Sequence, residues 1–154
     1  MTGKVEQPHE LLMRRAMQLA RLNPRHPFGS VIADSATGTI VAEGSNRSEQ
    51  NPVLHGEIDA INHCADQKQH IDWSKLSLYT TAEPCPMCMA AILWCGIPSV
   101  VFGTSIPTLL ELGWDQIDLR ADVVVSRSHR PATQVTGGVL QHDCDELFRL
   151  AAAS

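Results

Sequence analysis

The chain has 154 residues, 44% hydrophobic and 19% charged, which suits one globular domain with a sizeable core and excludes an intrinsically disordered chain. Its formal net charge of −5 argues against non-specific binding to nucleic acid or an anionic membrane, because a phosphate surface needs clustered Lys and Arg. No apolar run reaches the roughly 18 residues of a membrane span. The opening MTGKVEQPHELLMRR lacks the apolar stretch of a secretion signal, so a cytoplasmic setting with five reduced cysteines is expected.

A single domain is expected from about residue 8 to the end, without repeats or linkers. Leu12, Ala16 and Leu19 recur at helical spacing, Met13, Met17 and Ala20 widen the stripe, and Asn23-Pro24 ends it. Phe28–Ala33 and Thr39–Glu43 read as two strands of a hairpin around the turn-forming 34–38 segment. After a polar loop, a helix is predicted from about His55 to Ala65, with Ile58, Ile61 and Ala65 inward. Leu76–Thr80 reads as a strand. Pro84-Cys85-Pro86 opens a helix that Gly96 ends, and Ser99–Gly103 is a buried strand. Beyond it come a short helix at 107–112, a fifth strand at 122–126 and a C-terminal helix at 140–152. Strands alternating with helices in so short a chain predict an α/β fold, a three-layer α/β/α sandwich on one mixed five-stranded sheet.

Two segments carry chemistry, each at the start of a helix: His55-Gly56-Glu57 and Pro84-Cys85-Pro86-Met87-Cys88. Thiols three residues apart share one face of a first helical turn, where the helix's partial positive charge favours thiolate. His55, Cys85 and Cys88 therefore make three ligands suited to Zn²⁺, one fewer than a closed structural site normally has. Two residues from His55, Glu57 points elsewhere on its helix and can carry protons beside the metal. His63 and Cys64 lie about 12 Å along the helix from His55, too far to share its ion. With Cys95 and Cys144, Cys64 reads as a buried small hydrophobe. A thiol–disulfide oxidoreductase is the competing reading of Cys85-Pro-Met-Cys88, but it leaves His55 and Glu57 unexplained.

H-x-E followed by P-C-x-x-C is the signature of zinc deaminases. Over roughly residues 10–120 the chain resembles the cytidine-deaminase-like superfamily. Leu54-His55-Gly56-Glu57, Leu78-Tyr79-Thr80-Thr81 and Gly96-Ile97-Pro98 resemble fungal-type cytosine deaminases. Pro27-Phe28-Gly29, Glu83-Pro84-Cys85-Pro86-Met87-Cys88, Ala91-Ile92-Leu93-Trp94 and Gly113-Trp114-Asp115-Gln116 are closer to guanine deaminases. Gly138-Val139-Leu140…Cys144 resembles a segment of tRNA adenosine deaminases.

The resemblance implies one zinc-dependent deaminase domain over residues 1–154, acting on a free nucleobase with one Zn²⁺ and a catalytic water per chain. Guanine or a related 2-amino heterocycle such as isocytosine is the implied substrate. Cytosine and then tRNA adenosine are the alternatives. Glu57 would carry protons, aided by Asp115, which would grip the amidine-like edge of the base. Asn46 would bind that base, Phe28 and His55 would stack on it, the Gly56 N–H would meet a ring acceptor, and Trp94 and Trp114 would shape the pocket. Phe28 and Trp94 are also readable as core aromatics, Asn46 as a turn residue, and Asp115 as a solvated acid or helix cap. Trp114 and Gln116 depart from the G-F-D-D of guanine deaminases, and the bulkier indole would narrow the pocket. Their C-terminal pocket aromatic has no counterpart in the tail, where the one aromatic, Phe148, reads as core. The resemblance further implies a homodimer.

Overall fold

Five strands order as β2-β1-β3-β4-β5 in a computed structural model that describes residues 8–154. The elements are α1 (Pro8–Ala20), β1 (Gly29–Asp34), β2 (Ile40–Ser45), α2 (Gly56–Ala65), β3 (Leu76–Ala82), α3 (Pro86–Cys95), β4 (Ser99–Thr104), α4 (Ile106–Glu111), α5 (Ala121–Ser126), β5 (Gln134–Thr136) and α6 (Gln141–Ala152). The expected domain begins at residue 1, and residues 1–7 lie outside the described residues. No helix among the described residues is long and apolar enough to cross a membrane.

β1 runs antiparallel to both β2 and β3, whereas β3, β4 and β5 run parallel, as helical crossovers require. The β1–β2 turn is set by Asp34, whose Oδ1 accepts the Ala36 and Thr37 N–H groups, and by Gly38 at φ 74°. Strand alternation divides the core in two. Val31, Ala33, Tyr79 and Val101 pack with α1 and with Cys144 of α6 on one face. Ile32, Leu78 and Val100 pack on the other with residues of α2, α3 and α5, including Ala60, Met89, Ile92, Ala121 and Val125. This is the expected α/β/α sandwich on a mixed five-stranded sheet.

Two expectations are corrected. Residues 122–126 belong to helix α5, not to a strand. The valine run favours a strand locally, but Ala121 and Val125, four residues apart, bury one helical stripe in the core beneath α3. The fifth strand is Gln134–Thr136, whose burial is too slight to leave a hydrophobic pattern; it is held by pairing with β4 and by the Gln134 N–H to the Pro98 carbonyl. The inward stripe of α2 is Gly56, Glu57, Ala60 and Cys64; Ile58 and Ile61 are half-buried and Ala65 is exposed. Gly44 explains this register, since a Cβ there would lie 2.3 Å from the Ala60 nitrogen, so β2 and α2 meet backbone to backbone.

The outer rim of β2 also meets α2. The Ser45 N–H donates to Asp59 Oδ2 (3.0 Å), His63 Nδ1 donates to the Glu43 carbonyl (2.7 Å), and the Gln67 amide donates to the Val41 carbonyl.

Candidate metal centre and adjoining cavity

The N-termini of α2 and α3 converge at one end of the sheet. Their N-cap residues, His55 (φ −70°, ψ 164°) and Cys85 (φ −62°, ψ 166°), share an extended backbone. Neither side chain caps its own helix, so both are free for a shared centre. Cys88 comes from the first turn of α3. His55 Nδ1 lies 3.6 Å from the Sγ of Cys85 and 3.6 Å from that of Cys88, and all three ligand atoms fall within 4.8 Å of one another.

These separations test the fit of a metal. A tetrahedral centre with Zn–S of about 2.3 Å and Zn–N of about 2.05 Å holds N and S about 3.6 Å apart. The observed spacing is therefore that of a zinc site, and no fourth side chain joins the cluster among the described residues. The protons agree. Cys85 is pushed down to about 4, chiefly by a hydrogen bond from Cys88 and also by His55. Cys88 is pushed up by that same bond and by burial, and His55 is raised by its bond to Cys85. The sulfurs thus compete for one proton, a place where a divalent cation is favoured over hydrogen.

Glu57, 4% exposed, stands beside this cluster. Burial raises its carboxyl above the ordinary range, a hydrogen bond from Thr80 opposes that rise, and the neighbouring Cys85 thiolate adds to it. Glu57 lines a 230 Å³ cavity with His55, Cys85, Phe28, Asn46, Trp114 and Asp115. Asn46 is buried at the end of β2, and its Oδ1 is committed to the N–H and hydroxyl of Ser48, leaving its amide N–H₂ for a ligand. Asp59 pins the flanking residues through the Ser45 N–H and Arg47. Asp115 is exposed at the rim, without a hydrogen bond among the described residues.

Trp114 packs edge-on against Phe28 (5.6 Å, 90°) and Phe148 (5.8 Å, 89°). Its indole N–H goes to the Phe148 carbonyl, so the ring shapes the cavity and offers it no donor. Phe148 is fully buried behind it, as expected of a core residue. Gly56 opens α2 behind this wall but does not line it; a Cβ there would meet the Phe28 carbonyl at 2.9 Å.

Trp94 is a correction. It is 77% exposed, stacks on His129 (4.8 Å) and borders a separate apolar cavity of 570 Å³ with Pro86, Leu93, Leu119 and Val123. The helical rise from Cys85 carries it about 13 Å away from the ligands. Cys64 and Cys144 are buried as expected, whereas Cys95 is half-buried.

Sequence reasoning missed His26 and Ser48, which also line the pocket, and the supporting roles of Thr80 and Glu83. Glu83 had a legible signal, being a lone acid between a buried strand and the Pro-Cys turn. Its carboxylate accepts the Ile106 and Ala121 N–H groups and pairs with Arg120 Nε (2.9 and 3.0 Å), joining the α4 and α5 starts to the cysteine loop.

Comparison with known proteins agrees with this geometry. The family described as the cytidine and deoxycytidylate deaminase zinc-binding region matches residues 6–104. Guanine deaminase of Bacillus subtilis is 32% identical over 136 residues, 83% of this chain and 86% of that protein. A tRNA-specific adenosine deaminase of Haemophilus influenzae is 33% identical over 149 residues, 89% of this chain and 79% of that protein. A probable cytosine deaminase of Schizosaccharomyces pombe is 35% identical over 98 residues, 64% of this chain; the match spans only 59% of that protein. Among solved structures, guanine deaminase from Nitrosomonas europaea superposes with a TM-score of 0.82 at 26% identity, covering 97% of this chain and 87% of that one.

Proposed function

Because this chain belongs to the cytidine and deoxycytidylate deaminase family and is a hydrolytic deaminase, we propose that its substrate is a free nucleobase, guanine, converted to xanthine and ammonia. The observation that carries this reading is the cavity that brings His55 and Cys85 of the His55–Cys85–Cys88 cluster, and Glu57, together with Asn46, Trp114 and Asp115. Its 230 Å³ falls below the roughly 300–1,000 Å³ of drug-sized ligand sites, the scale of one small heterocycle. Guanine deaminases among both the curated relatives and the solved structures support the choice of base.

His55, Cys85 and Cys88 would hold one zinc per chain, and that ion would supply an activated water by lowering its pKa towards about 7. Glu57 takes a proton from the attacking water and delivers it to the ring nitrogen beside the amino-bearing carbon. A second proton, from the hydroxyl added to that carbon, goes to the amine as the carbon–nitrogen bond breaks and the carbonyl forms, releasing ammonia. Asp115 grips the 2-amino edge and aids these transfers, the Asn46 amide N–H₂ meets a ring acceptor, and Phe28 and Trp114 wall the ring. The Gly56 N–H lies behind the cavity wall and plays a secondary part. The chain works as one domain over residues 1–154 and as a homodimer that covers the exposed Trp94 face.

A tRNA adenosine substrate is the second reading, favoured by the Haemophilus relative and disfavoured by the net charge of −5. Ammonia release from guanine, isocytosine, cytosine, adenine, their nucleosides and tRNA separates these readings. Guanine is expected to give the highest kcat/KM. Turnover confined to tRNA would replace the proposal, and metal-free protein with a reducible Cys85–Cys88 bond would turn it to redox chemistry.

A further inference from the structure

Ser30 on β1 and Thr80 on β3 are cross-strand partners, and both side chains are fully buried. They sit on the sheet face where Ile32 and Leu78, two residues along each strand, belong to the apolar core. Strand alternation would place Ala or Val at 30 and 80, since a buried hydroxyl is costly unless it is bonded. Both are bonded. Ser30 Oγ donates to Thr80 Oγ1 (3.2 Å), and Thr80 spends its own hydroxyl proton on Glu57 Oε1 (2.5 Å). A hydroxyl on a carboxylate at this distance is a short, charge-assisted bond, and a second donor behind it strengthens it.

Glu57 stands in the first turn of α2, where its carboxylate also meets Cys88 and its own backbone N–H, and Thr80 is the partner that reaches it from the sheet. We propose that Thr80, backed by Ser30, is the positioning residue of the proton carrier. It fixes Glu57 in one rotamer through Oε1 and leaves Oε2 as the oxygen that moves protons in the cavity. The inference rests on the reading of Glu57 as the proton carrier. A carboxylate that must reach water, ring nitrogen and amine in turn loses rate when its rotamer is free, because near-attack geometry is then only sometimes populated.

The test compares zinc-loaded Thr80→Val, which keeps the volume, Thr80→Ser, which keeps the hydroxyl, and Ser30→Ala. For Thr80→Val, kcat on the base that the wild type processes is expected to fall roughly 10- to 100-fold, with KM and zinc content unchanged. Thr80→Ser restores kcat to within about threefold of the wild type, and Ser30→Ala gives a smaller loss of the same kind. Wild-type kcat in Thr80→Val, or a Thr80→Ser variant as slow as Thr80→Val, would overturn the proposal. Should Thr80→Val fail to fold, an unchanged kcat in Ser30→Ala would do so. A wild type that releases no ammonia from any base defeats the functional reading instead. Crystal structures of the variants then judge the positioning alone: Glu57 is expected to keep its rotamer in Thr80→Ser and leave it in Thr80→Val. An unmoved carboxylate in Thr80→Val would overturn the inference without any assay.

Discussion

Glu57 and Cys85 meet opposite electrostatic demands within one small volume. Burial disfavours the charge on Glu57, while Cys88 and His55 favour charge on Cys85. Glu57→Gln keeps the shape and the acceptor for Thr80 but removes the proton carrier. Turnover is expected to fall by about 10²–10⁴-fold with zinc content unchanged, read by ammonia release beside metal analysis. The Cys85 thiol, held down to about 4, makes a second prediction. In chelator-treated protein at pH 7, iodoacetamide should label Cys85 before Cys144, whose thiol burial pushes up to about 12, and restored zinc should protect Cys85. Peptide mass mapping reads both. The His55–Cys85–Cys88 cluster and the neighbouring Glu57 were legible in the sequence because the spacing of a metal-binding motif encodes a geometric requirement that does not vary. Trp94 was not, because an aromatic on an apolar helix carries no sign of which neighbour it meets. Thr80 was hidden because a threonine in a strand is ordinary until its hydroxyl is seen to end on a buried acid.

Elements with a long apolar stripe or run, or with clear start and stop residues, were readable: α1 from its stripe, α3 from Pro86 and Gly96, and β1, β3 and β4 as buried runs. Short elements were not, since a contact made elsewhere decides them. α5 has a strand-like valine run, yet its first N–H is fixed by Glu83, which also holds Arg120 and the start of α4. Glu83 thereby joins two short helices to the cysteine turn from a position 3% exposed to solvent. Glu83→Gln weakens the Arg120 pair and gives the carboxamide N–H₂ no acceptor among the backbone donors facing it. A loss of about 2–4 kcal/mol is expected in urea unfolding of the metal-free protein. Charged acceptors at buried N–H groups are worth more than neutral ones, so Glu83→Asp keeps the charge but, with its shorter reach, is not expected to hold all four bonds or to match the wild type.

Over the whole molecule, the Glu57 cavity and the apolar Trp94 face are separate, the second running along α3 from Pro86 to Trp94. An exposed indole beside Leu119 and Val123 is surface that a second copy can cover. Under the proposed homodimer, the wild type is expected to be dimeric in light scattering and Trp94→Arg monomeric, with the cavity residues untouched. Dimeric Trp94→Arg protein would place the contact elsewhere. The other apolar rim of the molecule has been dealt with internally. The side chains of Asp59, His63 and Gln67 take one outward backbone group each, at Ser45, Glu43 and Val41, so the longer border strand of the sheet presents an interrupted hydrogen-bonding row. Strand-to-strand joining of two molecules along β2 is therefore resisted by the same helical segment that presents His55 and Glu57 to the cavity, and loosening α2 would uncover that row.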